Sequence, residues 1–294
     1  MAEEPPGAKM IGRLFRLAAM GFAVGVAGCV AVEVPEGAFF WPDARLAQDN
    51  IVLGANPPPA GSETLPLTYA HGAIGATRVR AGEPGRPLIL FCGGNMFRRE
   101  SAGGSAAGKL ARFGDVLMFD YPGYGDTEGP TDFAGFRAVG EVVADAARRQ
   151  ADAEGRPLVA WGHSLGGVVC AEAANRARAD VLVLETTTPG AMATVNQQAG
   201  LMRPFVRVQM APALAAVDLP ASLEGYAGWI LVLEAGRDET LPPALSRMLT
   251  RELQRRGHRV ERLVFPDAGH NDVARQPDFD ERISAALEAA LAGR

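Results

Sequence analysis

A chain of 294 residues, 48% hydrophobic and 21% charged, has the balance of one large globular domain with a substantial core, which excludes an intrinsically disordered chain. The net charge of −5 comes from interspersed acidic and basic residues. No basic stripe is left to track a phosphate backbone, so nucleic acid is excluded as a partner. Three cysteines without CxxC spacing and four histidines without an HExxH pattern argue against a structural zinc site and a metal-dependent mechanism; neither a metal nor a cofactor is expected.

The N-terminus differs from the rest. Lys9, Arg13 and Arg16 precede Leu17 to Ala27, a short apolar run rich in Ala, Gly and Val, which is the shape of an export signal. The run closes on Val26-Ala27-Gly28-Cys29, similar to the lipobox of bacterial lipoproteins, where small residues precede a cysteine that receives lipid. Val26 stands where that pattern usually has Leu. Residues 1–29 are therefore expected to direct export, with Cys29 as the lipidation site and the membrane as a partner. An uncleaved anchor and ordinary secretion are the alternatives; a span needs about 20 apolar residues, and this run is shorter.

Residues 30–61 read as an irregular lead-in, with the aromatic cluster Phe39-Phe40-Trp41-Pro42 and the breaker-rich stretch Asn56 to Gly61. The aromatic cluster is expected to pack onto the main domain, residues 62–294, because exposed rings of that size are costly. Leu65 to His71 and Ile74 to Arg80 read as an antiparallel pair around Gly72. Apolar runs then recur at Leu88–Cys92, Val116–Phe119, Leu158–Trp161, Val181–Leu184, Trp229–Leu233 and Val260–Phe265. Runs apolar on both faces and separated by helical patterns are the mark of buried parallel strands. Among the helices, Asp132 to Ala151 carries Phe133, Phe136, Val139, Val143 and Ala147 at helical spacing, and Phe279 to Leu291 carries Ile283, Leu287 and Leu291. The fold class is α/β: a mostly parallel central sheet flanked by helices, with its ligand at the carboxyl ends of the strands.

The loop after Leu158–Trp161 reads Gly162-His163-Ser164-Leu165-Gly166-Gly167, a G-x-S-x-G with a strand running in and a helix running out. Ser164 then sits on a turn sharp enough to bring strand and helix together, which needs glycine at 162 and 166. The hydroxyl is lifted above the sheet at a helix N-terminus, where dipole and free N–H groups favour an oxyanion. A serine hydroxyl needs a base, and the base needs an orienting carboxylate, in the chain order Ser, acid, His. His270, past the strand ending at Phe265, is the candidate base. Asp238, past the strand ending at Leu233, is the candidate acid, with Glu234 and Glu239 as competitors. The Leu165 N–H is one oxyanion donor. The loop Gly93-Gly94-Asn95-Met96 supplies the second, with the Asn95 N–H first and Met96 as runner-up. Gly93 and Gly94 let backbone approach substrate, and His163, Gly94 and Met96 are expected to line the pocket. Met202, Phe205 and Met210, in the forty residues between Glu185 and Gly228, either border an open site or pack in a core.

Together, Leu90 to Asn95, Asp120-Tyr-Pro-Gly-Tyr-Gly125-Asp-Thr-Glu-Gly129, Gly162 to Gly167, Gly236-Arg-Asp-Glu239 and Gly269-His-Asn-Asp272 resemble the α/β-hydrolase superfamily. In detail they are similar to its small, lightly lidded branch of depalmitoylating and bacterial hydrolases. The likeness runs from about Leu65 to the C-terminus. It departs from that branch at Gly93, where a histidine is common. The resemblance implies a minimal cap and hydrolysis of a carboxylic ester or thioester through Ser164, on a small-molecule or lipid-like acyl substrate, without a cofactor. A peptidase or amidase on the same residues, and an inactive exported binding protein, are the alternatives.

Overall fold

Continuous apolar runs become the inner strands of an eight-stranded sheet in the computed structural model, which describes residues 30–82, 85–200 and 206–293. The chain opens with β1 (Val30–Val34) and α1 (Asp43–Gln48), followed by four short strands: β2 (Glu63–Thr64), β3 (Leu67–Tyr69), β4 (Gly72–Ile74) and β5 (Ala76–Val79). Strands and helices then alternate: β6 (Leu88–Cys92), α2 (Arg99–Leu110), β7 (Asp115–Phe119), α3 (Phe133–Ala153), β8 (Leu158–His163), α4 (Leu165–Ala177) and β9 (Val181–Glu185). After α5 (Ala191–Ala199), β10 (Val206–Met210), α6 (Pro212–Ala215) and α7 (Leu219–Ser222), the last strands β11 (Trp229–Ala235) and β12 (Arg259–Phe265) are each followed by a helix, α8 (Pro243–Arg255) and α9 (Phe279–Ala292).

The sheet order is β2-β5-β7-β6-β8-β9-β11-β12. All neighbours from β7 to β12 run parallel, and β5 and β2 close the other edge antiparallel. Strands β6, β7 and β9 are buried along their whole length, which is why they read as unbroken apolar runs. Alternation still sorts their side chains: Leu88, Leu90 and Cys92 face the core under α3 and α4, whereas Ile89 and Phe91 face the core under α2 and α9. Helix α3 starts where Asp132 accepts the Gly135 N–H, and it buries Phe136, Val139, Val143 and Ala147. Cys92 and Cys170 are buried free thiols in this core.

Two stretches differ from the sequence reading. The lead-in is irregular only in its second half. Val32 and Val34 alternate with exposed Ala31 and Glu33, and this period-two pattern lets β1 pair in parallel with β10, Val32 opposite Val208. The aromatic cluster does pack, with Phe40 and Trp41 buried. The expected pair of long strands around Gly72 is instead a small β3–β4 hairpin followed by a separate β2–β5 pairing. Gly75 breaks the ladder by donating its N–H to Thr127 Oγ1 at 2.9 Å.

Val195 and Ala199 of α5 meet Phe39, Val208 and Met210 in a small cluster of their own, so Met210 is a packing residue of this cap. Met202, Phe205 and the whole of 1–29, Cys29 included, lie outside the described residues. Among the described residues no helix is long and apolar enough to cross a membrane.

Candidate active site

Ser164 sits between β8 and α4 with φ 54° and ψ −121°, a conformation that L-residues rarely adopt and that costs roughly 1–3 kcal/mol. The turn is held from both sides. The Ser164 N–H donates to Glu185 O at 2.9 Å, and Thr187 Oγ1 donates to Ser164 O at 2.7 Å. The flanking glycines are needed for space. A Cβ on Gly162 would lie 2.6 Å from Gly166 O, and one on Gly166 would fall inside the backbone carbonyls of Cys92 and Gly93. Helix α4 can thus approach the end of β6, which brings the Gly93–Met96 loop beside the serine.

The loops after β11 and β12 deliver Asp238 and His270 to the same place. His270 Nε2 lies 2.9 Å from Ser164 Oγ, and its Nδ1 lies 2.8 Å from Asp238 Oδ2. The other carboxylate oxygen, Asp238 Oδ1, accepts the N–H groups of Thr240 at 2.9 Å and Leu241 at 2.8 Å. Surrounded by donors, the carboxylate serves as acceptor only. That puts the proton on Nδ1 and leaves the Nε2 lone pair for the serine hydroxyl. Geometry decides between the competing acids. Glu234 is buried between Arg247 at 3.0 Å and Arg262 at 2.5 Å, and Glu239 is exposed. An imidazole so placed can take the hydroxyl proton as the oxygen attacks.

His163 serves a neighbour more visibly than a pocket. Its Nε2 donates to the backbone carbonyl of His270 at 3.1 Å, and Thr186 Oγ1 donates to the same carbonyl at 3.2 Å. Two donors therefore fix the main chain of the candidate base. Thr186 reaches it from a strained left-handed position, φ 44°. Burial pushes the His163 imidazole down to about 4, against the pull of Glu185. The ring is thus neutral near pH 7, consistent with one donating and one free nitrogen. Below it, burial works to raise the Glu185 carboxyl, but Lys109, His163 and the hydrogen bonds from Lys109 and Trp161 outweigh this and hold it below the usual range. Trp161 Nε1 donates to Glu185 Oε2 at 2.7 Å, and Lys109 pairs with the same oxygen. Glu185, Thr186 and Lys109 were not singled out from the sequence. Glu185 ends an apolar run, and a carboxylate in that setting is the one signal that could have flagged it.

The glycine loop lies against the nucleophile. A Cβ on Gly94 would be 2.8 Å from His163 Nδ1 and 3.5 Å from Ser164 Cβ. The Phe97 ring fills the space that a side chain at Gly93 would need, and the Gly93 carbonyl accepts from the Tyr121 hydroxyl at 2.9 Å. Neither the Asn95 nor the Leu165 N–H donates to another group among the described residues. The Asn95 side chain, by contrast, is engaged through both its oxygen and its nitrogen. Oδ1 accepts from the Tyr124 hydroxyl at 2.8 Å and the Trp41 N–H at 3.1 Å, and Nδ2 donates to Phe39 O at 2.5 Å. Met96 is half-buried. Among the described residues no group of three or more potential ligands could hold a metal ion.

Comparison with known proteins bears on the fold. A model of the alpha/beta hydrolase family matches residues 88–216. An uncharacterised protein of Mycobacterium tuberculosis is 27% identical over 189 residues, 63% of this chain and 63% of its own. The uncharacterised protein YfhR of Salmonella typhi is 28% identical over 180 residues, 56% of this chain and 60% of its own. The chain thus matches less than two thirds of the length of these relatives. Among solved structures, a Pyrococcus furiosus esterase has a TM-score of 0.60 at 13% identity, covering 81% of this chain and 97% of that one. Esterase 2 of Thermogutta terrifontis, phosphoramylated by tabun, has a TM-score of 0.59 at 16% identity, covering 79% and 96%. At these identities the likeness is one of fold.

Proposed function

We propose that this chain, which belongs to the α/β-hydrolase superfamily, is a serine hydrolase that cleaves a carboxylic ester or thioester of a small or lipid-like acyl substrate through an acyl-enzyme. The observation that carries the reading is the unbroken hydrogen-bonded array from Ser164 Oγ through His270 to Asp238, closed at 2.9 and 2.8 Å. In this mechanism Ser164 Oγ attacks the acyl carbonyl while His270 Nε2 takes its proton, and Asp238 stabilises the resulting imidazolium. The negative oxygen of the tetrahedral intermediate is held by the N–H groups of Leu165 and Asn95, which have no acceptor to give up among the described residues. The intermediate collapses as His270 returns the proton to the leaving alcohol or thiol. Water, deprotonated by the same nitrogen, then frees the acid. His163, Gly94 and Met96 border the acyl carbonyl in this scheme. One esterase of similar fold, Thermogutta terrifontis esterase 2, captured with each of two organophosphates, supports the choice of bond type. Export and lipid attachment at Cys29 belong to the same proposal and rest on the N-terminal sequence.

The test is pre-steady-state. On mixing with p-nitrophenyl acetate, one equivalent of p-nitrophenolate should be released in a burst, with an acetyl adduct on Ser164 in quenched samples. Turnover without a burst or adduct, together with no methyl acetate formed when methanol is added as a competing acceptor, would point to direct attack by water and remove the acyl-enzyme.

A further inference from the structure

The loop expected to hold the oxyanion has little of its own to keep it in place. Gly93 and Gly94 contribute no side chains, and one turn bond, Phe97 N–H to Gly94 O at 2.9 Å, spans it. Two long-range restraints reach it: the Tyr121 hydroxyl on Gly93 O at 2.9 Å, and the Asn95 amide, whose three bonds reach two partners in the lead-in segment and one on Tyr124. A main-chain N–H can only donate and a carbonyl can only accept, so Trp41 and Phe39 dictate which way the amide faces. The segment that holds it is itself firmly seated. Phe40 is buried, stacked on Phe136 with ring centres 4.7 Å apart and edge-on to Phe133 at 5.0 Å. Arg98, at the far end of the loop, bonds Asp43 Oδ1 at 2.8 Å, donates to the Trp41 carbonyl and lies over the Tyr124 ring at 4.2 Å. The Tyr124 hydroxyl also accepts the Trp41 N–H at 2.7 Å.

We propose that Phe39–Trp41 and Tyr124 act through the Asn95 side-chain amide as a clamp that sets the Asn95 N–H for the oxyanion, which makes the N-terminal arm a working part of the site. The Asn95 side chain, Trp41 and Tyr124 are then positioning residues. The inference rests on the serine-hydrolase reading and adds to it a reason why residues about 40 and 120 positions before Ser164 matter for turnover. Because the same arm begins as β1 of the small cap sheet, the seat of the cap and the placement of the donor share one stretch of chain.

The clamp is tested with Asn95→Asp and Tyr124→Phe in the full chain. Asn95→Asp turns a carboxylate oxygen toward Phe39 O, where the amide donated. Tyr124→Phe removes the hydroxyl's bond to Asn95 Oδ1 and its bond from the Trp41 N–H, and leaves the amide's own bonds to Trp41 and Phe39. Rates are measured on p-nitrophenyl acetate, normalised to titrated active serine, beside the rate of inactivation by a fluorophosphonate and the melting temperature. A donor displaced by about 1 Å costs on the order of 100-fold in rate, so Asn95→Asp should lose about that much in kcat, with KM within about twofold. Inactivation should slow in parallel, since the phosphonyl oxygen needs the same donor. Tyr124→Phe should lose about tenfold in kcat in the same pattern. A lower melting temperature with unchanged kcat per active serine in both variants would overturn the clamp. If Asn95→Asp does not fold, unchanged kcat in Tyr124→Phe overturns it alone. A wild-type chain that neither labels nor turns over removes the parent reading and the clamp with it, whereas an active wild type beside fully active variants removes only the clamp.

Discussion

Changing Asp238 to Asn alters one atom of the site, and the structure fixes how the new amide must face. Asp238 Oδ1 accepts two main-chain N–H groups, from Thr240 and Leu241. In Asp238→Asn the oxygen therefore stays at that position, and the NH2 turns toward His270 Nδ1. A donor there forces the Nδ1 lone pair inward and moves the ring proton to Nε2, which can no longer accept from Ser164. Turning the amide over would restore the productive tautomer but strand the two N–H donors, at about 1–3 kcal/mol each. With about 1.36 kcal/mol per tenfold, the productive form falls by roughly 30-fold to 10⁴-fold, the upper figure matching the loss seen when a triad acid becomes an amide. The assay is kcat on p-nitrophenyl acetate per folded molecule, with Glu239→Gln as control, since Glu239 is exposed and should lose little. A loss under about tenfold in Asp238→Asn, or an equal loss in Glu239→Gln, would show that this carboxylate does not set the tautomer.

Gly166→Ala should both destabilise the chain by about 1–3 kcal/mol and slow labelling, because the added carbon collides with the Cys92 and Gly93 carbonyls and drives the elbow away from the glycine loop. Gly108→Ala in α2 meets nothing within 4 Å and should instead add about 0.4–1 kcal/mol; paired denaturant curves separate the two. His163 binds its proton less readily when folded, at about 4 against an ordinary 6.5, so its contribution to stability is full above pH 6.5 and drains away as pH falls toward 4. Melting temperature plotted from pH 7 to pH 4 should therefore fall more steeply for wild type than for His163→Gln, and parallel curves would contradict the assignment. If Cys29 is the lipid attachment site, Cys29→Ser yields an uncleaved, unlipidated precursor with unchanged activity in detergent. Intact mass of membrane-extracted wild type matching the chain from Met1 without lipid would contradict it.

The parts of the fold that could be read in advance were those set by strict burial. Val181–Leu184 and Leu88–Cys92 are apolar because both faces of the sheet are covered, and their shortness separates them from buried helices. β12 was placed correctly although it is an edge strand with Arg259, Glu261 and Arg262 exposed, since its alternating residues Leu263 and Phe265 still face the core. β1 was missed. Its alternation is visible in Val32 and Val34, but its partner lies more than 170 residues away, and pairing at that distance leaves no local trace. Within the site, Ser164, His270 and Asp238 were legible because strand-end position and chain order confine them. Choosing Asp238 over Glu234 required knowing that Arg247 and Arg262 occupy Glu234. The Asn95 clamp was invisible for a different reason. Two of its three partners are main-chain groups, a carbonyl that any residue at 39 carries and an N–H that any residue but proline at 41 carries.

The central claim is that Ser164 is a nucleophile activated by the array it closes. A fluorophosphonate reports on this directly, since it reacts with an activated serine and leaves a covalent mass. Wild-type chain should gain one phosphonyl group, mapped by peptide mass spectrometry to the segment containing Ser164. Ser164→Ala should gain none while keeping its melting temperature. A folded wild type that stays unmodified, or a Ser164→Ala chain that still takes up the probe, would contradict the account.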